Sequence, residues 1–319
     1  MTAAELVTSL DHDSASRAVA AVAELAAASG GHLGLVARHL DSGEQLAWNP
    51  DETIGTASAV KVAIYAEVMR QRRLGQFELD AAVVTREADL VGGSGVLSVL
   101  RPGLRCTVAD LCTLMIVVSD NTATNMLIDL LGGVAAVNEG LDTLGYSGIR
   151  LNHKIGYAPP PLVVASPRES VLSAEPLGTA TPAELCRLLA DLHAGAVVDA
   201  AASAEMISTL RHQQSQWLVP RSYLDVAEPA GLPGPEGPAL ASKTGSVGGC
   251  RVETGLLYLP GNGGTVAYCA AVDRLADRSM TALADGNEIV GRLGAIILAR
   301  WWPGPGPVPV RPGWLAIPS

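Results

Sequence analysis

The apolar positions of this chain recur with helical spacing in several long stretches and with strand spacing in others, and this pattern predicts most of the elements. From Gly55 to Arg73 the sequence reads as a helix that is apolar on nearly every side except at Glu67 and the closing arginines, and Gly75 marks its stop. A helix so apolar belongs in the interior of a large protein. Residues 14–29 form an alanine-rich helix capped by Asp13 or Ser14 and ended by Gly30-Gly31. His32–Leu40 and Glu44–Trp48, joined by Asp41-Ser42-Gly43, predict a β-hairpin. Thr107 and Asp110 are spaced as a capping box for a helix through Val118, and Thr122–Leu131 continues as helix up to Gly132-Gly133. Thr181-Pro182-Ala183-Glu184 opens a helix to His193 with an N-cap, a proline at the first helical position and a glutamate at the third. Ser203–Arg211 and Glu288–Trp301 read as further helices, and Leu240–Thr244, Cys250–Leu259 and Gly264–Val272 as strands of one sheet. The Pro/Gly-rich run from Pro229 to Pro238 reads as loop, and the proline-dense tail from Trp302 to Ser319 cannot extend the last helix.

Composition narrows the function classes. With 319 residues, 48% of them hydrophobic, the chain can bury a large core and suggests one domain of two lobes. A net charge of −10 argues against nucleic acid, whose binding needs clustered Lys and Arg, and there is no polybasic segment for anionic lipid. The five cysteines are odd in number and lack C-x-x-C spacing, and the six histidines form no ligand pattern, so neither a disulfide, a metal nor a cofactor is expected. Met1–Leu10 carries Glu5, no basic residue and no apolar core of a leader, and no run of 18 apolar residues occurs. A cytoplasmic protein is therefore the expectation, with no membrane partner.

The candidate chemistry begins at Ser58 and Lys61. Three residues apart, they share a helical face, with the hydroxyl near the positive end of the helix dipole and the amine among apolar side chains. Such an amine has a lowered pKa and can take the proton of the hydroxyl. The chain contains only three lysines, Lys61, Lys154 and Lys243, so one in so apolar a stretch is notable. Ser119-Asp120-Asn121 follows the apolar run Leu111–Val118, and Lys243-Thr244-Gly245 opens a strand-like stretch. Ser-x-x-Lys, Ser-Asp-Asn and Lys-Thr-Gly in this order resemble the class A β-lactamases and related penicillin-binding proteins, over about residues 20–300.

The resemblance implies a two-lobed fold, an α/β lobe of about 14–57 and 200–301 with an antiparallel sheet flanked by helices, and an all-α lobe of about 58–199, with the site between them. It also implies roles. Ser58 is the nucleophile, Lys61 the base and Ser119 the proton relay to the leaving group. Asn121 hydrogen-bonds substrate or Lys61, while Lys243 and Thr244 bind a substrate carboxylate. The N–H groups of Ser58 and Ser246 form the oxyanion hole. Arg251, on the next strand, either adds to carboxylate binding or is a plain surface arginine. The loop Val91-Gly92-Gly93-Ser94-Gly95 reads as a flexible turn, bordering the cleft in the family.

Residues 147–182 depart from the family. Class A enzymes carry here an omega loop whose glutamate activates the water that hydrolyses the acyl-enzyme. Aligning Arg150-Leu151 places Ile155 at that position, and aligning Leu151-Asn152 with the later Leu-Asn places Gly148 there. The nearest acids are Glu169 and Glu175, neither with the asparagine four residues on. His153 and Gly178 stand where the family has an arginine–aspartate clamp, and Pro159-Pro160-Pro161 shapes the loop differently. The expectation is a serine hydrolase that forms an acyl-enzyme at Ser58 with a small carboxylated lactam, ester or amide, with slow β-lactam hydrolysis. Alternatives are a penicillin-binding-type peptidase or transacylase, and a non-catalytic ligand-binding descendant.

Overall fold

The computed structural model describes residues 3–156, 175–222, 238–261 and 263–302, and side chains from residue 14. The Pro159–Pro161 turn, Glu169, nearly all of the Pro229–Pro238 stretch and the tail after Trp302 lie outside the described residues.

A five-stranded antiparallel sheet forms the frame, in the order β2-β1-β10-β9-β8. Its strands are β1 (His32–His39), β2 (Gln45–Trp48), β8 (Ala239–Val247), β9 (Cys250–Tyr258) and β10 (Thr265–Asp273). Helices α1 (Ala3–Ser29) and α8 (Asp285–Trp301) cover one face, and α6 (Pro182–His193) lies on the other. The remaining helices, α2 (Lys61–Arg73), α3 (Val108–Val117), α4 (Asn121–Leu130), α5 (Val134–Thr143) and α7 (Ala200–Leu210), gather around α2. Short strands complete the order: β3 (Ile54–Gly55), β6 (Arg150–Leu151) and β7 (Gly178–Ala180) form a small sheet, and β4 (Ala82–Val84) pairs with β5 (Arg105–Thr107).

The sheet separates two cores, and β10 shows why its sequence is apolar without interruption. Val266, Tyr268, Ala270 and Val272 join the cluster under α1 and α8, with Val22, Leu257, Leu293 and Ile297. Ala267, Cys269 and Ala271 join the cluster of α6 and the helical lobe, with Leu185, Leu189 and Val252. A strand covered on both faces loses the alternation of a half-exposed one. Gly34 in β1 lets α6 approach, since a Cβ there would stand 2.7 Å from the Pro182 ring.

Local signals in the sequence account for the helix starts. Thr107 Oγ1 accepts from Asp110 N at 3.0 Å while Asp110 Oδ2 accepts from Thr107 N at 2.8 Å, closing the expected capping box. Thr181 caps α6 by accepting from Glu184 N at 3.1 Å, with Pro182 at the first helical position. Four boundaries differ from expectation. The first helix begins at Ala3 rather than residue 14, α8 begins at Asp285, α7 begins at Ala200 behind an Asp199 cap, and β8 runs on through Val247. Helix α5 has no counterpart in the sequence reading; its buried side is Val137, Gly140 and Leu141, too short a stripe to stand out. All five cysteines are free thiols in the interior. Among the described residues no helix is long and apolar enough to cross a membrane.

Candidate active site

The segment around Ser58 is not the start of a regular α-helix. Ala57–Val60 is a 3-10 turn, and α2 proper begins at Lys61. Ser58 is half-buried, whereas its neighbours Ala57, Ala59 and Val60 are buried. Ala57, immediately before it, has φ of 43°, a left-handed backbone that costs a residue with a Cβ. The fold over-determines that turn. Thr56 N donates to Gly178 O at 2.9 Å, and Gly55 O accepts from the Cys250 thiol at 3.3 Å.

Lys61 is fully buried, and its ammonium reaches across to the segment between α3 and α4. Nζ donates to Ser119 O at 2.8 Å, to Ser119 Oγ at 3.1 Å and to Asn121 Oδ1 at 3.0 Å. The structure thus brings Lys61 to two residues that lie 58 and 60 positions further along the chain. Ser119 has φ of 56°, the second strained non-glycine backbone beside this ammonium. Asp120 points away from it. Its Oδ1 accepts from Ala123 N at 2.9 Å, capping α4, and its Oδ2 accepts from Val96 N and Leu97 N at 2.6 and 2.9 Å.

Those last two bonds make the Val91–Gly95 loop something other than a flexible turn. Asn121 Nδ2 donates to Gly92 O at 3.0 Å, Asn121 N donates to Ser94 O at 3.0 Å, and Ser94 Oγ donates to Ser119 O at 2.8 Å. Gly95, at φ of 104°, carries no Cβ because one would fall 2.3 Å from the Asp120 carboxyl. Ser94 is therefore a member of the site that the glycine-rich spacing concealed. The signal that could have found it is the serine inside a glycine run that must close on Ser119-Asp120-Asn121.

The opposite wall is β8. Lys243 is fully buried, with Nζ donating to Thr244 O at 2.7 Å; Thr244 is buried and Ser246 exposed. Gly245 lets this strand lie against the Ser58 turn: a Cβ there would stand 2.4 Å from Thr56 O and 3.0 Å from Ser58 N. Arg251 is elsewhere. Its Nε donates to Asn287 Oδ1 at 2.7 Å and its other nitrogens to the carbonyls of Val247, Cys250 and Ser279, and it is only 3% exposed. Neither reading of Arg251 fits this geometry, since it is not a surface side chain and its donors already hold protein oxygens.

Charge is the dominant physical feature of the cleft. Burial, then the neighbouring Lys243 charge, pushes the Lys61 ammonium well below the usual lysine range, with Asp120 opposing. Burial brings Lys243 down to about 7, against the upward pull of Glu253. Lys243 can therefore exchange a proton near neutrality, and Lys61 gives up its proton more readily than an exposed lysine.

At the neck of the divergent segment, Asn125 clasps Ile155, with Oδ1 accepting from Ile155 N at 2.9 Å and Nδ2 donating to Ile155 O at 2.7 Å. His153 bridges Lys154 O and Glu175 O at 2.8 and 3.1 Å, and Asn152 Nδ2 donates to Pro176 O at 2.9 Å. The neck is therefore closed through backbone carbonyls. Among the described residues no group of His, Cys, Asp and Glu is placed to hold a metal ion.

Comparison with known proteins agrees with this arrangement. The family model described as the β-lactamase enzyme family matches residues 16–301. The chain belongs to the β-lactamase enzyme family. As a member, it is a serine hydrolase with that family's two-lobed fold. It is 31% identical over 271 residues to β-lactamase AST-1 of Nocardia asteroides, covering 84% of this chain and 81% of that one. A β-lactamase structure from Sphaerobacter thermophilus superposes with a TM-score of 0.73 at 31% identity, covering 88% of this chain and 95% of its own. A point mutant of PBP-A, solved as an acyl-enzyme complex with penicillin G, shares the fold with a TM-score of 0.71 at 21% identity, covering 90% of this chain and 95% of its own.

Proposed function

We propose that this β-lactamase-family enzyme forms an acyl-enzyme at Ser58 with a small carboxylated lactam, ester or amide, and releases the acyl group slowly. The observation that carries this reading is the Lys61 ammonium, buried at the start of α2 three residues after Ser58 and hydrogen-bonded to Ser119 and Asn121. In its neutral form Lys61 takes the Ser58 hydroxyl proton as Oγ attacks the substrate carbonyl carbon. Negative charge developing on the carbonyl oxygen is met by the N–H groups of Ser58 and Ser246, and loss of one such donor costs about 2.7–4 kcal/mol. Ser119, bonded to Lys61, passes a proton to the leaving nitrogen or oxygen as the bond to carbon breaks. Lys243 and Thr244 hold the substrate carboxylate, and the apolar surroundings of Lys243 strengthen that attraction.

Slow release follows from Ile155. It stands, clasped by Asn125, at the position one alignment of the omega loop gives to the water-activating glutamate, and an alkyl side chain takes no proton from water. The same observation favours a second reading, a peptidase or transacylase of the penicillin-binding type, in which an amine rather than water accepts the acyl group.

Intact-protein mass measured over time with benzylpenicillin tests the proposal. Wild type gains a persistent adduct and Ser58→Ala gains none. Equal labelling of both would overturn it, and an adduct that vanishes within the dead time would overturn slow release while leaving the nucleophile in place.

A further inference from the structure

Glu253 is a completely buried acid that no step above uses. It lies on β9, whose side chains alternate between the two cores, so Val252 and Leu256 join the helical-lobe cluster and Leu257 joins the cluster under α8. Glu253 thereby falls on the α8 side of the sheet. On β8, Ala241 and Leu240 divide in the same way, which puts Ser242 on the Glu253 side and Lys243 on the cleft side. In the register, Thr244 is opposite Glu253, Lys243 opposite Thr254 and Ser242 opposite Gly255.

Three donors converge on this carboxyl. Ser242 Oγ donates to Oε1 at 2.7 Å, Tyr268 OH donates to Oε1 at 3.1 Å, and Val219 N donates to Oε2 at 2.8 Å. Tyr268 and Ser242 flank Gly255 from its two sides, β10 and β8. A Cβ on Gly255 would come within 2.6 Å of Ser242 Cβ, so the missing side chain is the clearance through which both hydroxyls reach Glu253. The carboxyl thus joins β8, β10 and the 3-10 turn Val219–Ser222 at one point.

We propose that Glu253 is a positioning residue of the cleft, acting through the sheet to fix the segment Ser242–Thr244 and to sustain the positive charge of Lys243. The carboxyl accepts from three donors, and such hydrogen bonds favour the carboxylate over the acid. On balance its pKa is raised, burial outweighing the downward pull of the three hydrogen bonds and Lys243. Lys243 is the charge that acts on it, and Lys243 in turn lowers the pKa of Lys61 on α2. Of the other charges brought by α8 and the Val219–Ser222 turn, Glu288 pairs with Arg221 and Arg292, and Arg300 pairs with Glu44. Burial lowers the pKa of Lys243, and Glu253 is the charge that raises it.

This inference rests on the proposed use of Lys243 to hold a carboxylate, yet its test can be read without substrate. Only three lysines occur in the chain, so carbon-13 labelling of lysine gives three Cε signals, and loss of one in Lys243→Arg assigns it. The expected result is a Lys243 titration near neutrality in wild type and about half a pH unit or more lower in Glu253→Gln, while Tyr268→Phe, which keeps the charge, moves it less. Acylation by benzylpenicillin should fall on the alkaline side at correspondingly lower pH in Glu253→Gln. An unchanged Lys243 midpoint in that variant would overturn the proposal, as would a rate lost evenly at every pH. Should Glu253→Gln fail to fold, Ser242→Ala decides instead: a several-fold rise in KM for carboxylated donors supports the positioning role, and an unaltered KM refutes it. Absence of any Ser58 adduct in wild type would count against the acyl-enzyme reading alone.

Discussion

Asn125 grips Ile155 by both edges of its amide, donating to the carbonyl at 2.7 Å and accepting from the N–H at 2.9 Å. This contact fixes the backbone of Ile155 and leaves only its side chain to decide what chemistry the position supports. Ile155→Glu should therefore place a carboxylate there without reshaping the neck. Decay of the Ser58 adduct is expected to quicken by about tenfold or more, a modest part of what a positioned general base contributes. The check is the adduct lifetime by mass, and a lifetime equal to that of wild type would show that another group governs release.

Acylation should follow a bell in pH. Lys61 acts as base only when neutral, so the rate rises through its lowered pKa. Lys243 binds a carboxylate only when charged, so the rate for carboxylated donors falls as pH rises past about 7. An uncharged ester should lack the falling limb. Measuring kcat/KM for both donors across the acid, neutral and alkaline ranges separates the two amines, and a falling limb common to both donors would contradict the role given to Lys243.

The same burial makes a stability prediction. The folded pKa of Lys243 lies below its unfolded value, so the unfolded chain binds the extra proton and stability rises with pH from about 7 to the ordinary lysine range. Replacing the amine with an apolar chain removes that dependence. Lys243→Met should therefore flatten the rise of stability with pH above about 7 while abolishing selectivity for carboxylated donors. Denaturant midpoints across that range give the answer, and a rise as steep as that of wild type would refute it.

Much of this was legible beforehand, and the reasons are local. Thr107 with Asp110, and Thr181 with Pro182, announce their helices because capping chemistry is written within four residues. Lys61, Ser119 and Lys243 are legible because each sits in a short motif of fixed spacing. Ser94 and Glu253 were not, because each acquires its meaning from partners 11 to 34 positions away that only the fold brings close. Arg251 misled for the complementary reason. Strand adjacency to Lys-Thr-Gly suggested the cleft, whereas Asn287 at the start of α8 draws its guanidinium toward the other core.

Arg251 yields a discriminating mutation. Arg251→Met removes four donors from Asn287 and three backbone carbonyls, leaving buried acceptors without partners. A loss of about 2–4 kcal/mol in stability is expected, with the preference for carboxylated over uncharged donors unchanged. A selective loss of the carboxylated donors would restore Arg251 to the cleft.

Asp120→Ala should disconnect the cleft lip. Three amides, those of Val96, Leu97 and Ala123, lose their acceptor together, at a cost of about 2–4 kcal/mol. Amide hydrogen exchange at Val96 and Leu97 should rise well above that of α2, and unchanged protection would deny the carboxylate its anchoring role.

The five interior thiols have a practical corollary. Burial raises the pKa of each of them and withholds it from solvent, so maleimides and disulfide reagents should leave the native enzyme unmodified. A single cysteine introduced at the exposed Val99 would then be the sole reactive handle on the molecule. A fluorophore fixed there would report on the segment that Asp120 anchors at Val96 and Leu97, on an otherwise natural background.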